Sequence, residues 1–90
     1  MLRIWGKMMK GSHMIRDMVA ANDNTGMSNL ARVEDCLDQI CQSFDLPRPI
    51  WMEKNIQDLN SFGKTEFRQD HFVEHIPFQY LEIEIIEMEK

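Results

Sequence analysis

Both ends of this chain of 90 residues alternate apolar and polar side chains, and the two ends carry opposite charge. Met1-Leu-Arg-Ile-Trp-Gly-Lys-Met-Met-Lys10 reads as a basic strand and Tyr80-Leu-Glu-Ile-Glu-Ile-Ile-Glu87 as an acidic one. Residues 1–20 hold Arg3, Lys7, Lys10 and Arg16 against Asp17; residues 80–90 hold Glu82, Glu84, Glu87 and Glu89 against Lys90. Alternation with period two puts every second side chain on the same face of a sheet. Pairing the first segment with the last therefore aligns cations with carboxylates over a shared apolar underside, and closes residues 1–90 into a single domain.

Gly11-Ser12 separates two alternating runs, and Gly followed by Ser suits a two-residue hairpin loop of type II′. That loop sets Met9 opposite Met14, Met8 opposite Ile15, Lys7 opposite Arg16, Trp5 opposite Met18 and Ile4 opposite Val19. One face then collects Leu2, Ile4, Met8, Ile15 and Val19 as core; the other collects Arg3, Trp5, Lys7, Met9, Met14, Arg16 and Met18. Lys7 against Arg16 is an unfavourable like-charge pair. A third strand bearing Glu82 and Glu84 beside the first relieves it, with Leu81, Ile83 and Ile85 joining the core. Gly-Ser-His-Met at 11–14 matches the remnant of a cleaved tag, but the strand pattern runs straight through it and the residues read as native.

After the polar loop 21–27, Ser28 or Asn29 caps a helix reaching about Phe44. Leu30, Val33, Leu37, Ile40 and Phe44 recur every three or four residues and form its inward stripe. Pro47 and Pro49 block its continuation. A shorter helix is expected from about Glu53 to Phe62, with Ile56, Leu59 and Phe62 inward and Gly63 as its stop. Between Lys64 and Phe78 the pattern supports only one or two helical turns capped by Asp70, with Phe72 and Val73 inward, ending before Pro77. The expected architecture is α+β: a three-stranded antiparallel sheet of order 2-1-3, with one long amphipathic helix and a shorter one packed on one face.

Composition narrows the function classes. No stretch approaches the ~20 apolar residues of a membrane span, and no apolar segment follows the early charges Arg3 and Lys7 as in a secretory signal. Cys36 and Cys41, the only cysteines, lie five residues apart on one helix and point in different directions. Free thiols fit a reducing cytoplasm. A net charge of −5 opposes a general phosphate-binding surface, so nucleic acid is not an expected partner.

Four constellations invite chemistry. His71-Phe-Val-Glu-His75 matches H-x-x-E-H, in which two imidazoles one helical turn apart hold zinc and Glu74 activates water. Pro77 truncates any helix there, and only strand glutamates follow as further ligands. Met8, Met9, His13 and Met14 offer soft donors for Cu(I), yet methionine is also an adaptable core filler. Cys36 and Cys41 border acidic residues and an apolar stripe, which favours inert thiols. Arg3, Trp5, Lys7 and Arg16 resemble a base-stacking platform, but one aromatic among the glutamates of the last strand makes a poor one. None of these assigns a cofactor.

The most coherent functional reading is a surface for a partner. If the helices cover only the core face, Trp5, Met9, Met14, Arg16 and Met18, with Tyr80 and Ile86 nearby, are left exposed, and apolar patches of this kind meet other proteins. If instead the second helix or the 64–78 segment wraps round, that patch is core. At Leu2-Arg-Ile-Trp-Gly-Lys7, Pro49-Ile-Trp-Met-Glu-Lys-Asn55, Gly63-Lys-Thr-Glu-Phe67 and Phe78-Gln-Tyr-Leu-Glu-Ile-Glu84 the chain resembles a family of short bacterial proteins with no assigned activity. That resemblance implies a stand-alone cytosolic domain and carries over no catalytic or ligand-binding residue. The expectation is a non-enzymatic cytoplasmic interaction module, a homo-oligomer or the partner of another protein, working through the sheet face or a strand edge. The alternative is a small metal protein or hydrolase built on His71, Glu74 and His75.

Overall fold

The computed structural model describes residues 1–88; Glu89 and Lys90 of the acidic end lie outside the described residues. Strands β1 (Leu2–Lys10) and β2 (His13–Asn22) form the hairpin, followed by helices α1 (Asn29–Ser43) and α2 (Glu53–Phe62), then β3 (Lys64–Phe67) and β4 (Tyr80–Glu87). All pairings are antiparallel, and the sheet has four strands in the order β2-β1-β4-β3. The two ends of the chain lie side by side as their alternation requires, with Lys7 opposite Glu82 and Trp5 opposite Glu84. The expected three-stranded sheet gains a fourth member, because β3 adds to the far side of β4.

The hairpin turns at Gly11, whose φ of 62° is open to glycine at little cost, while Ser12 needs no positive φ; this is the type II′ pattern. The register differs from expectation one step beyond Met9↔Met14. A β-bulge intervenes and Met8 faces Arg16, so Ile15 is the extra residue. Everything after it slips by one, and a one-residue slip moves each side chain to the other face. Lys7 now faces Asp17 instead of Arg16, which removes the like-charge clash. Ala20 takes the buried position, and Ile15 and Val19, expected in the core, are 48% and 42% exposed.

Ser28 caps α1 through its Oγ, which accepts the Ala31 amide at 3.2 Å. Val33, Cys36, Leu37, Ile40 and Cys41 face the sheet, and Phe44 closes the stripe; Leu30, expected within it, is exposed. Gly6 of β1 lies directly under Ile40 of α1, with no room for a Cβ between them.

Helix α2 is turned relative to expectation. Ile56 and Phe62 are exposed, Phe62 at 72%, while Asn55 is buried. The Asn55 side chain explains the rotation. Its Oδ1 accepts the Met52 amide at 2.9 Å as a helix cap, and its Nδ2 donates to Thr65 Oγ1 at 2.9 Å and to the Glu66 carbonyl at 3.3 Å. These bonds fasten α2 to β3, and a buried amide with its bonds made stays inward. Gly63 ends the helix as expected.

Between β3 and β4 the chain makes a single 3₁₀ turn at Gln69–His71 and then runs without regular structure. Phe72, Ile76 and Phe78 enter the core, but Val73, expected inward, is 87% exposed. The Gln69 side chain holds this loop, donating to the Glu74 carbonyl and accepting the Ile76 amide.

Candidate interaction surface

Both helices pack on the face formed by Leu2, Ile4, Met8, Leu81, Ile83, Thr65 and Phe67. On the opposite face, cross-strand neighbours form rows. Met14, Met9 and Tyr80 make one; Asp17, Lys7, Glu82 and Glu66 the next; Val19, Trp5, Glu84 and Lys64 the one after.

The centre of this face is polar and closely paired. Lys7 Nζ donates to Glu82 and to Glu84, both at 2.8 Å, and lies 3.9 Å from the centre of the Trp5 ring. Trp5 Nε1 donates to Asp17 at 2.9 Å. The Lys7 side chain is thereby only 13% exposed, on a face that no helix covers. Partial burial lowers the pKa of its ammonium. The hydrogen bonds and charges of Glu82 and Glu84 together outweigh that and hold it above the ordinary value of 10.5. Stability linked to a raised lysine pKa is fully present below the unfolded value and is lost as pH rises through the folded one.

Lys7→Met is therefore expected to cost about 1–2 kcal/mol at neutral pH, less than a fully buried pair because both carboxylates keep some water. Urea titrations of the two proteins should converge as pH is raised above about 10.5. A constant difference through that range would show that the ammonium charge is not what Lys7 contributes.

Of the five residues expected to form one partner-binding face, the structure brings three together. Trp5 and Met9 are half-buried and Met14 is exposed, all on the open face. Arg16 and Met18 lie on the helix side, because the bulge at Ile15 reverses their facing. Arg16 sits over the Phe44 ring at 5.0 Å and donates to the Ser43 carbonyl at 3.1 Å; Met18 packs against the core. A single apolar sheet face of the expected composition is thus not formed.

One group of exposed apolar residues lies along the outer margin of β2. Met14, Ile15 and Val19 are each between 42% and 48% exposed on a strand whose far side has no neighbour in the sheet. Sequence reasoning placed Ile15 and Val19 in the core. The signal that could have moved them was the unfavourable pairing of Lys7 with Arg16, which a one-residue slip cures.

The other constellations separate. His71 and His75 do not share a helix. His71 is buried edge-on to Phe67, its Nδ1 accepting the Arg68 amide at 3.1 Å, while Glu74 and His75 are exposed in the following loop. Asp70 also lies 3.1 Å from that nitrogen, but a nitrogen accepting an amide hydrogen has no proton to donate, so we read the contact as proximity. Among the described residues, no group of three or more His, Cys, Asp and Glu side chains is placed to hold a metal ion. Met8 faces the core, away from Met9 and Met14. Burial, with Asp35 and Asp38 adding to it, pushes the Cys36 and Cys41 thiols up to about 11, the wrong direction for a nucleophile at neutral pH. No helix of the described residues is long and apolar enough to cross a membrane.

Comparison of the chain with family models, curated proteins and solved structures finds no match.

Proposed function

We propose that this chain is a non-enzymatic interaction module that pairs with a second copy of itself along the outer edge of β2, in a cytoplasmic setting that suits its two unbridged thiols. One observation carries the reading: the contrast between the two edges of the sheet. The β3 edge is four residues long and carries Lys64 and Glu66, the usual protection against unwanted pairing. The β2 edge is ten residues long and displays Met14, Ile15 and Val19; its charges Arg16 and Asp17 are engaged within the chain by Ser43 and Trp5, and its bulge lies near the hairpin turn.

Beyond the bulge, Arg16–Asn22 follows β1 in regular register, and Val19 is the middle residue of that stretch. An antiparallel two-fold pairing centred there sets Val19 against Val19, Met18 against Ala20, Asp17 against Ala21 and Arg16 against Asn22. No like charges meet, and an isologous interface of this kind closes at two copies. The result is a continuous sheet of two four-stranded halves. Trp5 supports the edge from within, facing Val19 and holding Asp17.

Sedimentation equilibrium is expected to give twice the monomer mass. Val19→Lys sets two ammonium groups opposite each other at the symmetry axis and is expected to give a monomer with an unchanged circular dichroism spectrum. Val73→Lys, an equally drastic change on the distant loop, should leave the dimer intact. A wild-type monomer at all accessible concentrations would refute the proposal.

A further inference from the structure

A second surface lies on the other side of the molecule and owes nothing to the β2 edge. Helix α1 lies over β1 and β2 and α2 lies beside β3, so the end of β4 between them is left without a roof. The resulting groove encloses about 440 Å³ and is walled by Leu30, Val33, Ile56, Leu59, Ile85 and Met88. Leu30, Ile56 and Met88 are exposed there. Leu30 and Ile56 are also two of the residues whose helical spacing marked them as inward, so each helix keeps part of its apolar stripe but finds no neighbour to cover it.

Charge selects the occupant. Glu34 follows Val33 and lies one helical turn from Leu30, and Glu53 lies one turn before Ile56, which sets both carboxylates beside residues that wall the groove. Glu53 receives a long hydrogen bond, 3.5 Å, from Gln57. Arg32, the base nearest in sequence to Val33, is buried with Nη2 on the Asn22 carbonyl at 2.7 Å. An apolar floor with carboxylates around it complements a helix that is apolar on one face and basic on the other. An anionic lipid headgroup would bring like charge to that rim.

We propose that the groove between α1 and α2 docks a basic amphipathic helix from another protein, engaging apolar side chains at i, i+3 or i+4, and i+7. The probe is a synthetic peptide of about 14 residues, long enough for marginal helicity, with leucines at those positions and lysines elsewhere. In methyl-detected NMR titrations it is expected to shift Leu30, Leu59, Ile56, Ile85 and Met88 in saturable fashion. The paired change Glu34→Lys with Glu53→Lys, at exposed or half-exposed positions, should weaken binding by about tenfold or more, and Ile56→Ser by a similar factor. Val19→Lys should bind the peptide as the unaltered chain does, which keeps this test separate from that of the dimer. Equal binding of a glutamate-for-lysine peptide, equal binding of a scrambled peptide, or shifts confined to other surfaces would each overturn the assignment.

Discussion

Leu37→Ala is expected to remove about 2–5 kcal/mol of stability. Leu37 is fully buried in the middle of α1, among Val33, Ile40 and Cys41 on the helix side and the strands beneath. The loss combines the transfer of the missing methyl groups to water with the void that a helix pinned at both ends cannot close. A domain of this length has only about 5–10 kcal/mol in hand, and each kcal/mol is worth roughly 4–8 °C of melting temperature. Urea denaturation should show the midpoint falling steeply with the slope unchanged. Leu30→Ala on the same helix is the internal comparison. Leu30 is exposed at the groove, so its loss is expected to stay below about 1 kcal/mol. Equal effects at the two positions would mean that α1 presents a different face to the sheet.

Gly6→Ala is the second large effect, although it adds only one methyl group. A Cβ at position 6 would stand 2.7 Å from Cγ2 and 2.8 Å from Cδ1 of Ile40, closer than such atoms come in practice. Ile40 is fully buried and cannot swing aside, so the helix must lift or the strand must bend. Overpacking of this kind costs about 1–3 kcal/mol. The double change tests the mechanism, because Ile40→Ala deletes all three atoms that the new methyl would strike. Gly6→Ala in the Ile40→Ala background is expected to be nearly harmless, giving a coupling of about 1–2 kcal/mol in a double-mutant cycle. Simple additivity would show that the two residues do not meet.

The parts of this architecture that were legible in the sequence are those where side-chain period and charge agree. The alternation of β1 and β4 and their opposite charges imply that the two strands are neighbours with Glu82 and Glu84 on the face of Lys7, the residue register being set by the structure, and the three-and-four spacing of Val33, Leu37 and Ile40 implies the face of α1. The bulge was not legible from apolar pattern alone. His13–Val19 has a plausible core residue in either register, and only the charges of Lys7, Arg16 and Asp17 distinguish the two. β3 escaped because four residues, two of them charged, carry no periodic signal; its place is set by pairing with β4 and by the Asn55 bonds to Thr65 and Glu66. Asparagine is usually exposed, and the burial of Asn55 turned Ile56 and Phe62 outward.

The candidate surfaces were harder to read than the fold for the same reason. A tryptophan on an open sheet face suggested stickiness, but its indole is occupied by Lys7 and Asp17. The apolar residues left without neighbours, Ile15 and Val19 on β2 and Leu30 and Ile56 beside the groove, are ones that periodicity assigned to the interior. Both proposed contact surfaces therefore rest on apolar residues that the fold leaves uncovered, not on the half-buried tryptophan.

Amide hydrogen exchange along β2, followed as the protein is diluted, addresses the edge pairing most directly. Amides of Asp17 to Ala21 that face away from β1 are expected to exchange slowly in concentrated solution and to speed up on dilution, while those bonded to β1 stay unchanged. Exchange of the outward amides that is fast and independent of concentration would contradict the paired edge.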